Sequence, residues 1–356
     1  MPLIVLENDP SLRLAAILLD PQGDATRRAA YADYLSPDVA DFEAWASATL
    51  AACPGLTDTR LMVVKDQDAL VAALPLADAV IVESLTVGEA ELARAPRLKL
   101  VQTFGSLARN VDRDACTRHG VRLATLRRRV NIAVAEHVMA LMLALAKQLP
   151  QTSAQVTAAG LQAAGRPLRP FDTRHTPNAN WGRFSGMRLL HGSRMGLLGL
   201  GEIGRETARV ARGLGLQVVY FSRHRLSAQE EAELGVAYAD FNALLSSSDV
   251  LSVHLPKEAV DVIDAAALAR CKPGMLLINT ARAAAVNRSA LIDALQSGRL
   301  GGAALDVHTL EPLPDDDPFL GLDNVLLTPH TAAGARTNNL ADMAQLLRSV
   351  SDALRR

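Results

Sequence analysis

Cysteine is scarce in this sequence: Cys53, Cys116 and Cys271 are the only three in 356 residues. They are far apart, odd in number and without metal-like spacing, which argues against a disulfide framework and for a reducing, cytoplasmic compartment. Charge of either sign is not in excess. The formal net charge is -1 and about half the residues are apolar (49%), so neither a nucleic-acid-binding protein nor a disordered chain is expected. Long apolar runs are missing too. The opening MPLIVLENDP has no basic n-region, and the longest apolar helix candidate, AVAEHVMALMLALA from Ala133, carries Glu136 and His137. Neither a signal peptide nor a membrane span is expected. His119, His175 and His191 form no cluster with carboxylates or cysteines at ligand spacing, so no metal is expected.

What is present is alternation. Short apolar runs (AAILLD, LMVVKD, AVIVES, KLVQTF, MGLLGL, QVVYFS, VLSVHL, MLLINT, AALDV, VLLTPH) alternate with Ala-rich helical stretches. This predicts α/β architecture with parallel sheets and crossover helices covering both faces. The length suggests two domains. Between Gln151 and Ser193 the pattern lapses into a polar stretch rich in Gly, Pro, Thr and Asn, read here as an inter-domain excursion. The last helix candidate, NNLADMAQLLRSVSDALRR, follows the final strand and is expected to return to the first domain.

The segment MGLLGLGEIGRETARVARGLG places Gly199, Gly201 and Gly204 between a strand and a helix, in the spacing of a dinucleotide-binding turn. Gly199 permits the tight turn, Gly201 admits a pyrophosphate to the backbone, and Gly204 allows close helix-sheet packing. The N–H groups at the helix start, which include those of Glu202 and Ile203, favour the anion. About twenty residues on, an NAD site usually carries an acidic residue for the ribose hydroxyls. Here the strand VVYF ends instead on Ser222, Arg223, His224 and Arg225. A hydroxyl and a guanidinium suit a 2'-phosphate, so NADP(H) is the preferred cofactor, with NAD(H) possible and Arg225 or His224 as a second contact. The plainer alternative is a solvated basic turn.

Three further strands end on chemistry: INTAR with Thr280 and Arg282, ALDVHTLEP with Asp306 and Glu311, and LLTPH with His330. Ligands of open α/β sheets bind beyond the carboxyl ends of strands. A guanidinium binds a carboxylate bidentately and polarises the adjacent carbonyl, an imidazole supplies a proton, and a neighbouring carboxylate favours the charged imidazole. The set suits hydride transfer to a 2-oxo acid.

From about Leu98 to Ala333 the chain resembles the D-isomer-specific 2-hydroxyacid dehydrogenases, through GLLGLGEIG, KPGMLLINTAR, ALQSGRLGGAALDV, EPLP and LLTPH. The resemblance implies Arg282, Glu311 and His330 as the catalytic set and Asp306 as a contact to the nicotinamide carboxamide. VQTFGSLARNVD resembles the family's substrate-carboxylate loop, implying backbone N–H contacts from Ser106 and Leu107. It also implies two Rossmann-like or flavodoxin-like domains with the active-site cleft between them. Residues 1–132 would form the substrate domain, 133–331 the cofactor domain and 332–356 a helix returning to the first, in a homodimer acting on a small 2-oxo or 2-hydroxy acid. Ala283 replaces a family Gly, Leu107 another, and His308 stands where an aromatic is common.

Other residues have plainer readings. His254 either lines the nicotinamide site or packs at its strand end, His137 is structural, and Arg127, Arg128 and Arg129 are solvated or interface charges. Two rivals to a glyoxylate- or hydroxypyruvate-type reductase are a dinucleotide-sensing protein like the related corepressors and a dehydrogenase of an unusual acid.

Overall fold

A computed structural model describes residues 1–166, 174 and 179–355; His175 lies outside them. The chain divides into two compact units, one made of Met1–Asn131 with Ala335–Arg356 and the other of Ile132–Gly334. The polar stretch from Gln151 to Ser193 therefore falls inside the second unit and is not an excursion between domains. Its described part carries short helices at Leu149–Ser153 and Ala158–Ala163.

In the first unit, β1 (Leu3–Glu7), β2 (Arg60–Val64), β3 (Ala79–Val82), β4 (Leu100–Thr103) and β5 (Arg122–Ala124) form a parallel sheet of order β2-β1-β3-β4-β5. Every residue of β1, β3 and β4 is buried, as strands covered on both faces must be. One face packs Leu12, Leu14 and Leu18 with Met343, Leu346, Leu347 and Val350 of the helix Arg336–Leu354; the other packs Val5, Val80 and Val101 with Leu70, Leu74 and Leu92. The run AAILLD, expected as a strand, lies largely in the helix Arg13–Leu19. A short apolar run does not distinguish a buried strand from a buried helix, and its buried residues Leu14, Ala15, Ile17 and Leu18 recur at helical spacing.

The second unit holds β6 (Arg194–Leu198), β7 (Gln217–Phe221), β8 (Ala237–Tyr238), β9 (Val250–Val253), β10 (Met275–Asn279), β11 (Leu300–Leu305) and β12 (Val325–Leu327), in a parallel sheet of order β12-β11-β10-β9-β6-β7-β8. The order reverses at β6 beside β9, so the crevice at their carboxyl ends is the topological switch point. The helix Arg129–Lys147 is long and apolar enough to cross a membrane. Its Val138, Met139, Leu141 and Met142 are instead buried against Met195, Leu197 and Ile278 in this unit's core. The length of that run reflects burial in protein.

Candidate active site

Three neighbouring strands deliver the expected chemistry to one edge of the second sheet. In register, Leu305 of β11 lies between Asn279 of β10 and Leu327 of β12. Arg282 follows β10, Asp306 to Glu311 follow β11, and His330 follows β12. Because the strands are parallel, all their carboxyl ends point the same way. Asn279 is buried and shapes the first loop: its side-chain oxygen accepts from the Ala281 N–H at 3.0 Å and its amide donates to the Arg282 carbonyl at 2.9 Å. The Arg282 side chain is exposed, donates to the Ala281 carbonyl at 2.5 Å and makes no ion pair among the described residues. It is free to take an anion.

His330 and Glu311 meet directly, with Nδ1 and Oε2 2.9 Å apart. The other carboxylate oxygen of Glu311 accepts the His308 N–H at 3.0 Å. The bond to His330, then that to the His308 backbone, hold the Glu311 carboxyl below its ordinary pKa. With Nδ1 turned to Glu311, the Nε2 edge of a half-exposed imidazole faces outward.

Asp306 sits beneath this pair with no exposed surface. Its Oδ1 accepts from the Thr328 hydroxyl at 2.6 Å and the Thr331 N–H at 2.8 Å, and its Oδ2 from the Ala332 N–H at 2.9 Å. The His137 ring lies 3.5 Å from Oδ1. The Asp306 carboxylate is sealed from solvent and bonded to the loop that carries His330. A buried carboxylate gathers several donors because an unpaired charge there would be costly.

At the switch point, Gly199 has φ +99, and a Cβ on it would stand 2.3 Å from the His254 carbonyl oxygen. A Cβ on Gly204 would come within 2.7 Å of the Gly199 carbonyl. Both glycines are required by packing. Gly201 differs, since a Cβ there meets nothing within 4 Å: the space in front of it is open. It caps the helix Glu202–Gly213, so the N–H groups of the helix start border that space. Thr280, at the end of β10, keeps a buried hydroxyl without a partner. Open space at the one glycine that packing does not require, helix-start donors and an orphaned hydroxyl fit a dinucleotide. His254 bonds Ser252 Oγ through Nε2 at 3.0 Å, and burial pushes its pKa down to about 4.

The basic turn after β7 is only partly available. Arg225 is held by Glu231 through two bonds of 2.9 and 3.2 Å and lies over the Tyr238 ring. Tyr220 donates to the same Glu231 carboxylate at 2.8 Å. Arg225, expected as a second phosphate contact, is ion-paired with Glu231. The Ser222 hydroxyl donates to the His224 carbonyl, closing the turn, and the side chains of Arg223 and His224 are exposed with no partner among the described residues. Ser106 and Leu107 lie in the first unit, in the loop after β4, with Ser106 exposed and Leu107 partly buried.

The family model described as "D-isomer specific 2-hydroxyacid dehydrogenase, NAD binding domain" matches residues 139–332, more than half of the chain. The chain belongs to this dehydrogenase family. D-3-phosphoglycerate dehydrogenase of Mycobacterium tuberculosis is 38% identical over 304 residues, 84% of this chain and 53% of that protein. Glyoxylate reductase of Thermococcus litoralis is 34% identical over 259 residues, covering 72% of this chain and 73% of its own. The chain spans about half the length of the first curated relatives it matches. Apo D-mandelate dehydrogenase of Rhodotorula graminis shares the fold, with a TM-score of 0.57 at 23% identity over 98% of this chain and 92% of that one.

Four further residues shape this site: Asn279 and Thr328, which sequence reasoning did not single out, His137, which it read as structural, and His308. His308 carried a visible signal, standing where the family often has an aromatic. Thr328 and His137 carried none, because their partners lie far away in sequence, whereas Asn279 bonds residues two and three places on.

Proposed function

We propose that the protein is an NADPH-preferring reductase of small 2-oxo acids such as glyoxylate or hydroxypyruvate. The observation that carries this reading is the Glu311–His330 pair, which follows β11 and β12, beside the loop after β10 whose Arg282 makes no ion pair among the described residues. A bound nicotinamide dinucleotide supplies the hydride. The residues of the chain do the rest. Arg282 binds the substrate carboxylate and polarises the adjacent carbonyl. His330 Nε2 protonates the carbonyl oxygen while Glu311 keeps the ring oriented through Nδ1. The N–H groups of Glu202 and Ile203, the open face of Gly201 and the Thr280 hydroxyl receive the dinucleotide.

NADPH preference is supported by the lack of a carboxylate directly after β7 and by the unpartnered Arg223; NADH remains usable. A homodimer is supported by exposed apolar side chains on the second unit, among them Leu149, Met187 and Leu189. A reducing, cytoplasmic setting is supported by three free, buried cysteines. The reading predicts NADPH oxidation with glyoxylate or hydroxypyruvate, faster than with NADH, in initial-rate assays that also include pyruvate, phenylpyruvate and 2-oxoisocaproate. Dinucleotide binding without turnover of any acid would refute it in favour of a sensor.

A further inference from the structure

His330 is held in an uncommon backbone state. Its φ is +54, in the left-handed region, where a residue with a Cβ is disfavoured by on the order of 1 kcal/mol. Something must hold it there. Asp306 grips the loop on both sides, before His330 through Thr328 and after it through Thr331 and Ala332. A second grip comes from His308, two residues further along the same strand end. Its ring Nε2 lies 2.9 Å from the Thr328 carbonyl oxygen. A carbonyl only accepts, so Nε2 carries the proton. The same carbonyl accepts the His330 N–H at 3.0 Å, which takes up both of its lone pairs. Meanwhile the His308 backbone N–H donates to Glu311 at 3.0 Å.

We propose that His308 is a positioning residue for proton transfer: its ring fixes the Thr328–His330 turn while its backbone fixes Glu311, so one residue aligns both members of the pair. The inference rests on the reading of His330 as the proton donor. A phenyl ring at this position keeps the backbone bond to Glu311 and fills similar space but cannot donate to the Thr328 carbonyl. The imidazole is thus a feature of this chain that adds a constraint on the loop. The effect expected is on the alignment of His330 in the transition state, and so on kcat, with no direct contact to substrate or dinucleotide.

The test compares His308→Phe with His308→Gln, whose side-chain amide can restore a donor near the position of Nε2. In NADPH-dependent reduction, His308→Phe should lower kcat several-fold, up to about tenfold, as expected for one lost hydrogen bond. KM for the acid and Kd for NADPH should stay near wild type, and His308→Gln should recover most of the loss. Placed in a His330→Ala background, His308→Phe should have no further effect on kcat, because the two act as one unit. Wild-type kcat in His308→Phe, failure of His308→Gln to recover rate, or an undiminished effect in the His330→Ala background would each overturn the proposal. Near-wild-type turnover of His330→Ala alone would instead overturn the underlying reading of His330, so the two failures are distinguishable.

Discussion

Glu311 Oε2 and His330 Nδ1 are 2.9 Å apart, although nineteen residues separate them and they leave adjacent strands. The bond commits one ring nitrogen and leaves the other for the substrate. Replacing His330 by Ala removes the proposed proton donor without touching the glycine turn. Turnover should fall on the order of 10²- to 10⁴-fold, with NADPH affinity by fluorescence titration unchanged. Near-wild-type turnover would refute the assignment.

Arg282 has no carboxylate partner among the described residues, so its charge is available to substrate. Lysine keeps the charge but not the planar fork. Arg282→Lys should lower kcat/KM for the oxo acid about 10- to 100-fold, the value of one or two charge-assisted hydrogen bonds. Binding of the dinucleotide alone should not change, which calorimetry would check.

The glycine turn separates fold from function. Gly199→Ala drives a Cβ into the His254 carbonyl at a backbone angle that alanine disfavours, and should lower the unfolding midpoint. Gly201→Ala meets no protein atom and should fold normally, yet the added methyl intrudes where a pyrophosphate would approach. Thermal shift with and without NADPH discriminates the two: an unaltered ligand-induced shift in Gly201→Ala would contradict the proposed site.

After β7, Arg223 is expected to contact the 2'-phosphate, and Arg225 is not. Arg223→Ala should reduce the NADPH-over-NADH ratio of kcat/KM about 10- to 100-fold, and adding Ser222→Asp should reverse it through charge repulsion. Arg225→Ala should leave the ratio alone. A preference that survives the Ser222→Asp, Arg223→Ala double change would disprove the assignment.

His254 makes stability depend on pH. Its folded pKa, near 4, lies below its ordinary value of 6.5, because burial disfavours the charged ring. Between those values the unfolded state binds the proton and the folded state does not. Stability from this residue is full above about pH 6.5 and declines as pH falls towards 4. Denaturant midpoints measured at pH 7 and pH 5 should differ less in His254→Asn than in wild type.

The sequence by itself determined the local parts: the alternating strands, the glycine turn before the helix Glu202–Gly213, and Arg282, Glu311 and His330 at strand ends. Each depends on neighbours a few residues away, where periodicity and turn chemistry act. Tertiary structure decided the rest. It made AAILLD mostly helix, drew Arg225 to Glu231, and turned Asp306 inward to hold a loop that begins more than twenty residues later. The strand order β12-β11-β10 creates those partnerships. A buried carboxylate or a guanidinium takes whichever donors or acceptors the sheet brings within 3 Å or so, and sequence spacing carries no record of which those are.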